Sequence, residues 1–100
     1  MNMDTLTLFK NSKDSISFSP GDTIFEVGSE PDVMYVIQEG EVDIVAGDTV
    51  VETLGPGEIF GEMALVDKKP RSAAAKAHTD CKVVPIDENR FKFLIQQTPF

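Results

Sequence analysis

The chain has a single cysteine, Cys81, and a single histidine, His78. One thiol excludes an internal disulfide and suits a reducing compartment, so the cytoplasm is the expected location. A protein metal site needs three or four ligands, and one His plus one Cys falls short, so no metal is expected. Cys81 reads instead as a small buried apolar residue. The lone histidine follows an alanine-rich stretch with no evident nucleophile or Ser–His–Asp grouping, and no catalytic residue is expected. Basic residues are also scarce: 9 Lys and Arg against 17 Asp and Glu give a formal net charge of −8. A nucleic-acid surface would need a basic stripe, so no nucleic-acid partner is expected. No apolar run approaches the ~20 residues that span a bilayer, and the opening MNMDTLTLFK lacks a signal peptide's apolar centre, so no membrane partner is expected either.

What is present fits one globular domain: 100 residues, 41% of them apolar, are enough for a single core and too few for two. The charge is unevenly placed. Before Gly61 only Lys10 and Lys13 oppose twelve acids, whereas from Gly61 onward Lys68, Lys69, Arg71, Lys76, Lys82, Arg90 and Lys92 outnumber Glu62, Asp67, Asp80, Asp87 and Glu88. An anion would be steered toward the second half, although the lysines alone read as a solvated surface.

Residues 1–14 read as a lead-in segment, with Leu6, Leu8 and Phe9 as anchors, and residues 15–100 as the domain. Strand signals then recur at short intervals. Ile16–Phe18 ends at Ser19-Pro20-Gly21-Asp22, a turn in which Pro presets one dihedral and Gly supplies another. Thr23–Val27 stops at Gly28-Ser29-Glu30-Pro31-Asp32. Val33–Gln38 and Glu41–Val45 flank Glu39-Gly40, expected to be a tight hairpin. Gly47-Asp48 makes the next turn, Thr49–Leu54 the next strand, and Gly55-Pro56-Gly57 breaks it. Gly21, Gly28, Gly40, Gly47 and Gly55 thus stand 7, 12, 7 and 8 residues apart, the rhythm of an antiparallel sandwich or jelly roll. Val42 and Ile44 share a face while Asp43 points away, and Tyr35-Val36-Ile37 read as buried on both sides. Further on, Ser72–His78 and Lys82–Ile86 form two more strands. Asp87 is a plausible N-cap for an amphipathic helix running to Thr98, with Phe91, Leu94 and Ile95 on one face and Pro99 ending it. The expected fold is mainly β: an antiparallel jelly-roll barrel with a short helix in its second half and a C-terminal helix packed outside.

The informative stretch is Gly57 to Ala75, GEIFGEMALVDKKPRSAAA. Gly61 permits close backbone approach, and Glu62-Met63-Ala64-Leu65 is long enough only for one helical turn, whose free N–H groups suit an anion. Arg71 follows Pro70, which fixes the backbone before it. Ser72-Ala73-Ala74-Ala75 should lie in a strand yet fills almost no volume. An acid, a helix start, an arginine and vacated space suggest a small anionic ligand carrying hydroxyls, such as a sugar phosphate ester. An arginine can grip two phosphate oxygens at once, which a lysine cannot.

Gly61-Glu62-Met63-Ala64-Leu65 followed by Pro70-Arg71-Ser72-Ala73 resembles the phosphate-binding cassette of cyclic-nucleotide-binding domains, as in regulatory subunits of cAMP-dependent protein kinase and the catabolite activator protein. Pro20-Gly21-Asp22, Met34-Tyr35-Val36-Ile37 and Glu39-Gly40-Glu41-Val42 before it, and Thr79-Asp80-Cys81 with Phe91 after it, extend the likeness over roughly residues 15–98. The resemblance implies a non-enzymatic sensor. Arg71 and Ser72 would hold the cyclic phosphate and Glu62 the ribose 2′-hydroxyl, with Gly61, Met63, Ala64 and Ala73 completing the cassette. Ser72, where threonine goes with cGMP, leans toward cAMP, with cGMP the other possible ligand. Phe60 and Val51 are candidates for an apolar wall beside the base, and core packing explains both equally well. The ligand would draw the cassette inward and shift the C-terminal helix, relaying the change to an attached or associated output domain. The family's further helix that closes over the base would begin where the chain ends at Phe100. The alternative reading is an interaction module that keeps the fold without binding nucleotide. A metal-dependent jelly-roll enzyme is disfavoured by the missing ligand cluster.

Overall fold

A computed structural model describes residues 13–30 and 32–96. Eight strands fall into two antiparallel sheets. They are β1 (Ile16–Phe18), β2 (Thr23–Phe25), β3 (Val33–Glu39), β4 (Val42–Ala46), β5 (Thr49–Leu54), β6 (Ile59–Phe60), β7 (Ala74–Ala77) and β8 (Cys81–Asp87). Two helices complete the chain, α1 (Met63–Asp67) between β6 and β7 and α2 (Glu88–Gln96) after β8. One sheet has the order β1-β8-β3-β6 and the other β2-β7-β4-β5. The mainly β architecture read from the glycine rhythm is present, as two four-stranded sheets; among the described residues no strand pairing closes them into a barrel.

Period-two alternation along β3 and β8 explains why the first sheet is apolar on both faces. Ile37, Phe60, Cys81 and Val83 point toward the second sheet, where they meet Val42, Leu54, Ala75 and Ala77. Met34, Val36, Val84 and Ile86 point the other way and pack with Leu65 of α1, with Ile59 and Phe91 of α2 against them. The outer face therefore carries both helices, and the Tyr35-Val36-Ile37 run is buried from two sides as its composition requires. Pro85 sits in a strand flanked on both sides, yet β1 pairs only as far as Val83, so its missing N–H falls beyond β1.

The turn at Gly47-Asp48 is a genuine hairpin, closing β4 onto β5 with Ala46 opposite Thr49. The expected hairpin at Glu39-Gly40 is not one. β3 pairs with β6 and β8, and β4 with β5 and β7, so the chain changes sheets there. Gly40 has φ 82°, and a Cβ on it would overlap the Asp80 carbonyl oxygen and stand 2.7 Å from the Cys81 Cβ. The corner is tied to that turn by the Glu41 N–H donating to Thr79 Oγ1 at 3.0 Å and the His78 N–H donating to the Glu41 carbonyl at 3.0 Å. Glycine is required here by long-range crowding as well as by the turn itself.

Other expectations shift at their edges. Thr23–Val27 shortens to Thr23–Phe25, Ser72–His78 to Ala74–Ala77, and the unforeseen β6 is only two residues long. Asp87 caps α2 as expected, its Oδ1 accepting the Arg90 N–H at 2.8 Å. The anchors Leu6, Leu8 and Phe9, the side chains of Leu94 and Ile95, and the helix end at Thr98 and Pro99 lie outside the described residues. The two helices are also joined by charge: Glu88 Oε2 accepts from Lys68 Nζ at 3.1 Å and Lys92 Nζ at 2.9 Å. These two hydrogen bonds, Lys92 first, hold the Glu88 carboxyl below its ordinary pKa.

Two outcomes follow from this frame. Gly40→Ala should lower unfolding free energy by about 2 kcal/mol or more, because strain and overlap act together, and a urea transition will measure it. Glu88 favours the folded state only when ionised, its pKa being lowered on folding. The advantage of the native chain over Glu88→Gln should thus be small but present near neutral pH. It should vanish as pH falls through and below the ordinary carboxylate pKa of about 4.3, read as converging thermal midpoints.

Candidate functional site

The end of β6, α1 and the segment before β7 enclose one side of a cleft of about 590 Å³, whose opposite side is β4 and β5. Gly61 turns the chain from β6 into α1 with φ 77°. Its carbonyl accepts a hydrogen bond from Arg71 Nη1 at 2.7 Å, and a Cβ there would stand 2.7 Å from that nitrogen. Arg71 Nη2 donates to the Val33 carbonyl at the start of β3. Beneath the guanidinium lies the Phe25 ring, 4.2 Å from Cζ to centroid, a cation–π contact. Phe25 belongs in turn to an aromatic group with Tyr35 and Phe60, whose centroids are 5.2 to 6.0 Å apart. The backbone of Arg71 is fixed too. Its N–H donates to the Ser29 carbonyl at 3.1 Å, and its carbonyl accepts from the Gly28 N–H at 2.7 Å.

Arg71 is only 6% exposed, and among the described residues no carboxylate pairs with it. Its partners are two neutral carbonyls and a ring, and its buried Nε has no hydrogen-bond partner among the described residues. A guanidinium offers five N–H donors, and the two carbonyls leave the Nε donor and others unspent. A buried cation without a counter-charge is unfavourable unless an anion completes it. Arg71 also borders a second cleft, but Glu26, Glu30 and Asp32 line that side and oppose an anion there. The first cleft holds acids as well, Glu52, Glu58 and Glu62, but unlike the second it carries Lys69 beside Arg71, and an anion fits at that basic end.

Of the residues singled out by sequence, Phe60, Gly61, Glu62, Met63, Arg71, Ser72 and Ala73 all line this cleft. Phe60 does both things offered for it, being 2% exposed in the core and forming part of the wall. The side chain of Ala64 lies outside the described residues. Val51 is the correction. It is 59% exposed and absent from the cleft wall, because on β5 the inward positions are Glu52 and Leu54. The volume vacated by small residues is partly refilled: Ala75 and Ala77 are buried in the core, whereas Ala73 borders open space.

Sequence reasoning missed Phe25, Ile44, Glu52, Leu54, Glu58 and Lys69 in the cleft wall. Counting back by two from Leu54 would have found Glu52. Nothing local could have placed Phe25 under an arginine far along the chain. His78 lies on the far face of the second sheet, Nδ1 3.0 Å from Asp43 Oδ2, which also accepts through Oδ1 from Thr53 Oγ1. Cys81 is 3% exposed in the core, its thiol pushed up in pKa by burial and then by Asp80 and Asp22. Neither residue reaches the cleft.

The sequence of residues 15–98 matches the family model described as a cyclic nucleotide-binding domain. The cAMP-dependent protein kinase regulatory subunit of Eremothecium gossypii is 36% identical over 100 residues, which are 100% of this chain and 22% of that protein. The chain spans about a fifth of the length of the curated relatives it matches. Among solved structures, cAMP-bound PfPKA-R superimposes with a TM-score of 0.78 at 35% identity over 83% of this chain and 29% of that one. The regulatory subunit of a cAMP-independent protein kinase A from Trypanosoma brucei gives 0.76 at 29% identity over 82% of this chain and 32% of that one. The chain belongs to the cyclic nucleotide-binding domain family.

Proposed function

We propose that this domain binds a cyclic nucleotide, with cAMP preferred and cGMP the weaker ligand, and performs no catalysis of its own. The observation that carries the reading is Arg71: a buried, fixed guanidinium on the cleft whose Nε–H has no partner among the described residues. A cyclic phosphate would take that donor without breaking the bonds to Gly61 and Val33. Ser72, exposed at the same wall, would add its hydroxyl, and half-buried Glu62 would accept from the ribose 2′-hydroxyl. Gly61, Met63, Ala64 and Ala73 shape the cassette around the sugar and phosphate, and Phe60 backs it. The likenesses to regulatory subunits support a regulatory role within a longer protein.

The relay runs through α1. Leu65 is 6% exposed and packs with Met34, Val36, Val84 and Ile86, against which Phe91 of α2 also lies. Drawing Gly61 and Glu62 toward a phosphate moves Leu65, and α2 must repack. The ligand biases α2 only by its differential affinity for the two arrangements. An output domain attached to or docked on α2 would read that change. The site of action is a reducing compartment, the cytoplasm, consistent with one unpaired, core-buried thiol. The likeness to the regulatory subunit of a cAMP-independent protein kinase A keeps a second reading in view, a module with the fold but no cAMP response.

Calorimetric titration with cAMP and cGMP separates the two. Binding by the native chain, with Arg71→Ala weakening it by about 1.5–3 kcal/mol while circular dichroism shows an unchanged fold, is the expected result. Saturation absent at millimolar nucleotide in the folded native chain would establish the second reading.

A further inference from the structure

We infer that Phe25 is a positioning residue for nucleotide binding, its ring face holding the Arg71 guanidinium in place without cancelling the charge that an anion needs. The inference rests on the proposed function and names the group that keeps its central residue competent. Arg71 stands between two clefts, and Phe25 lines both with it. One cleft carries Lys69, Ser72 and the cassette, and the other Glu26, Glu30 and Asp32. An arginine so placed has an obvious alternative. A carboxylate from the second cleft would hold it bidentately, claim two of its N–H donors and neutralise it. Among the described residues none does so. The attraction comes instead from the ring, whose centroid lies 4.2 Å from Arg71 Cζ. A ring face draws a cation through its quadrupole and brings no negative charge. It is one of the few neighbours that can hold an arginine and leave it a net cation.

The ring is itself held. On β2, Phe25 stands opposite Ala75 of β7, a fully buried residue whose single methyl leaves room for a large neighbour. Tyr35 of β3 stacks on Phe25 with centroids 6.0 Å apart and 23° between the planes. Phe60 of β6 lies 6.0 Å away at 32°. Three strands thus fix the ring, and the ring fixes the cation. An aliphatic side chain at position 25 would fill the same space in the core and exert no such pull. Without it, the guanidinium is free to sample the acids of the second cleft, and affinity falls with the fraction that remains competent.

The test replaces Phe25 site-specifically with mono-, di- and trifluorinated phenylalanine, and separately makes Phe25→Leu. Each chain is titrated calorimetrically with cAMP, with circular dichroism as the check on fold. Fluorine withdraws electron density from the ring face and weakens its pull on a cation, while ring size changes little and apolar character rises. Affinity for cAMP should fall stepwise along the series, by about threefold or more with three fluorines. Phe25→Leu should bind about three- to thirtyfold more weakly than the native chain. Should Phe25→Leu fail to fold, the fluorinated series keeps the ring and decides alone. An affinity that stays flat along the series, with binding intact, means that the ring acts through its shape only. That result overturns the inference even if thermal midpoints fall, and it leaves the proposed function standing. If the folded native chain binds no cAMP at millimolar concentration, both fall.

Discussion

A buried arginine with no carboxylate paired to it among the described residues is the constraint around which the cleft is arranged. Arg71 joins four parts of the chain that are distant in sequence: the carbonyl at the start of β3, the Gly61 carbonyl after β6, the Phe25 ring of β2, and the turn at Gly28 and Ser29. Each partner holds the cation without neutralising it. Removing a guanidinium from water costs several kcal/mol, and two carbonyl hydrogen bonds plus a ring return only part of that. The protein therefore maintains a positive, rigid and incompletely satisfied group at the edge of an open cleft. Gly61 is bound to the same constraint, since a side chain there would press on Nη1.

Much of this was legible in sequence for physical reasons that also mark where legibility stops. Gly47 and Gly40 carry the same local signal, a glycine between two apolar runs. One closes a hairpin and the other passes the chain between sheets, and only the crowding of Gly40 against Asp80 and Cys81 distinguishes them. That contact spans about half the chain and leaves no trace in a short window. The two-residue β6 is too short to have a period. Arg71 and its neighbours were visible because proline, small residues and an acid cluster in one short stretch, whereas the aromatic group that supports the arginine is dispersed over Phe25, Tyr35 and Phe60.

Val51 and Glu52 are the informative inversion. Hydrophobicity would turn the valine toward the cleft and the acid away from it, and β5 does the reverse, with both side chains exposed. A register irregularity between Ile44 and Val45 intervenes between the turn at Gly47 and the inward pair, so parity counted from the turn is unreliable. Counted from buried Leu54, parity is correct.

The connection from cleft to α2 has two components, and their magnitudes decide which transmits. Glu88 bridges Lys68 and Lys92, but all three side chains are solvent-accessible, and such exposed pairs contribute little, less still in salt. Leu65 is buried in the outer cluster on which Phe91 also packs, where a single large apolar side chain contributes about 1.5–3 kcal/mol. In the proposed relay the apolar packing would therefore transmit, and the charge cluster would bias its resting position. Packing of this kind is close to all-or-none, because a displaced Leu65 leaves a void under Met34 and Val36 that water fills poorly. In the proposed relay, a displacement at Gly61 small enough to be set by one phosphate would thereby be converted into a choice between two packings of α2.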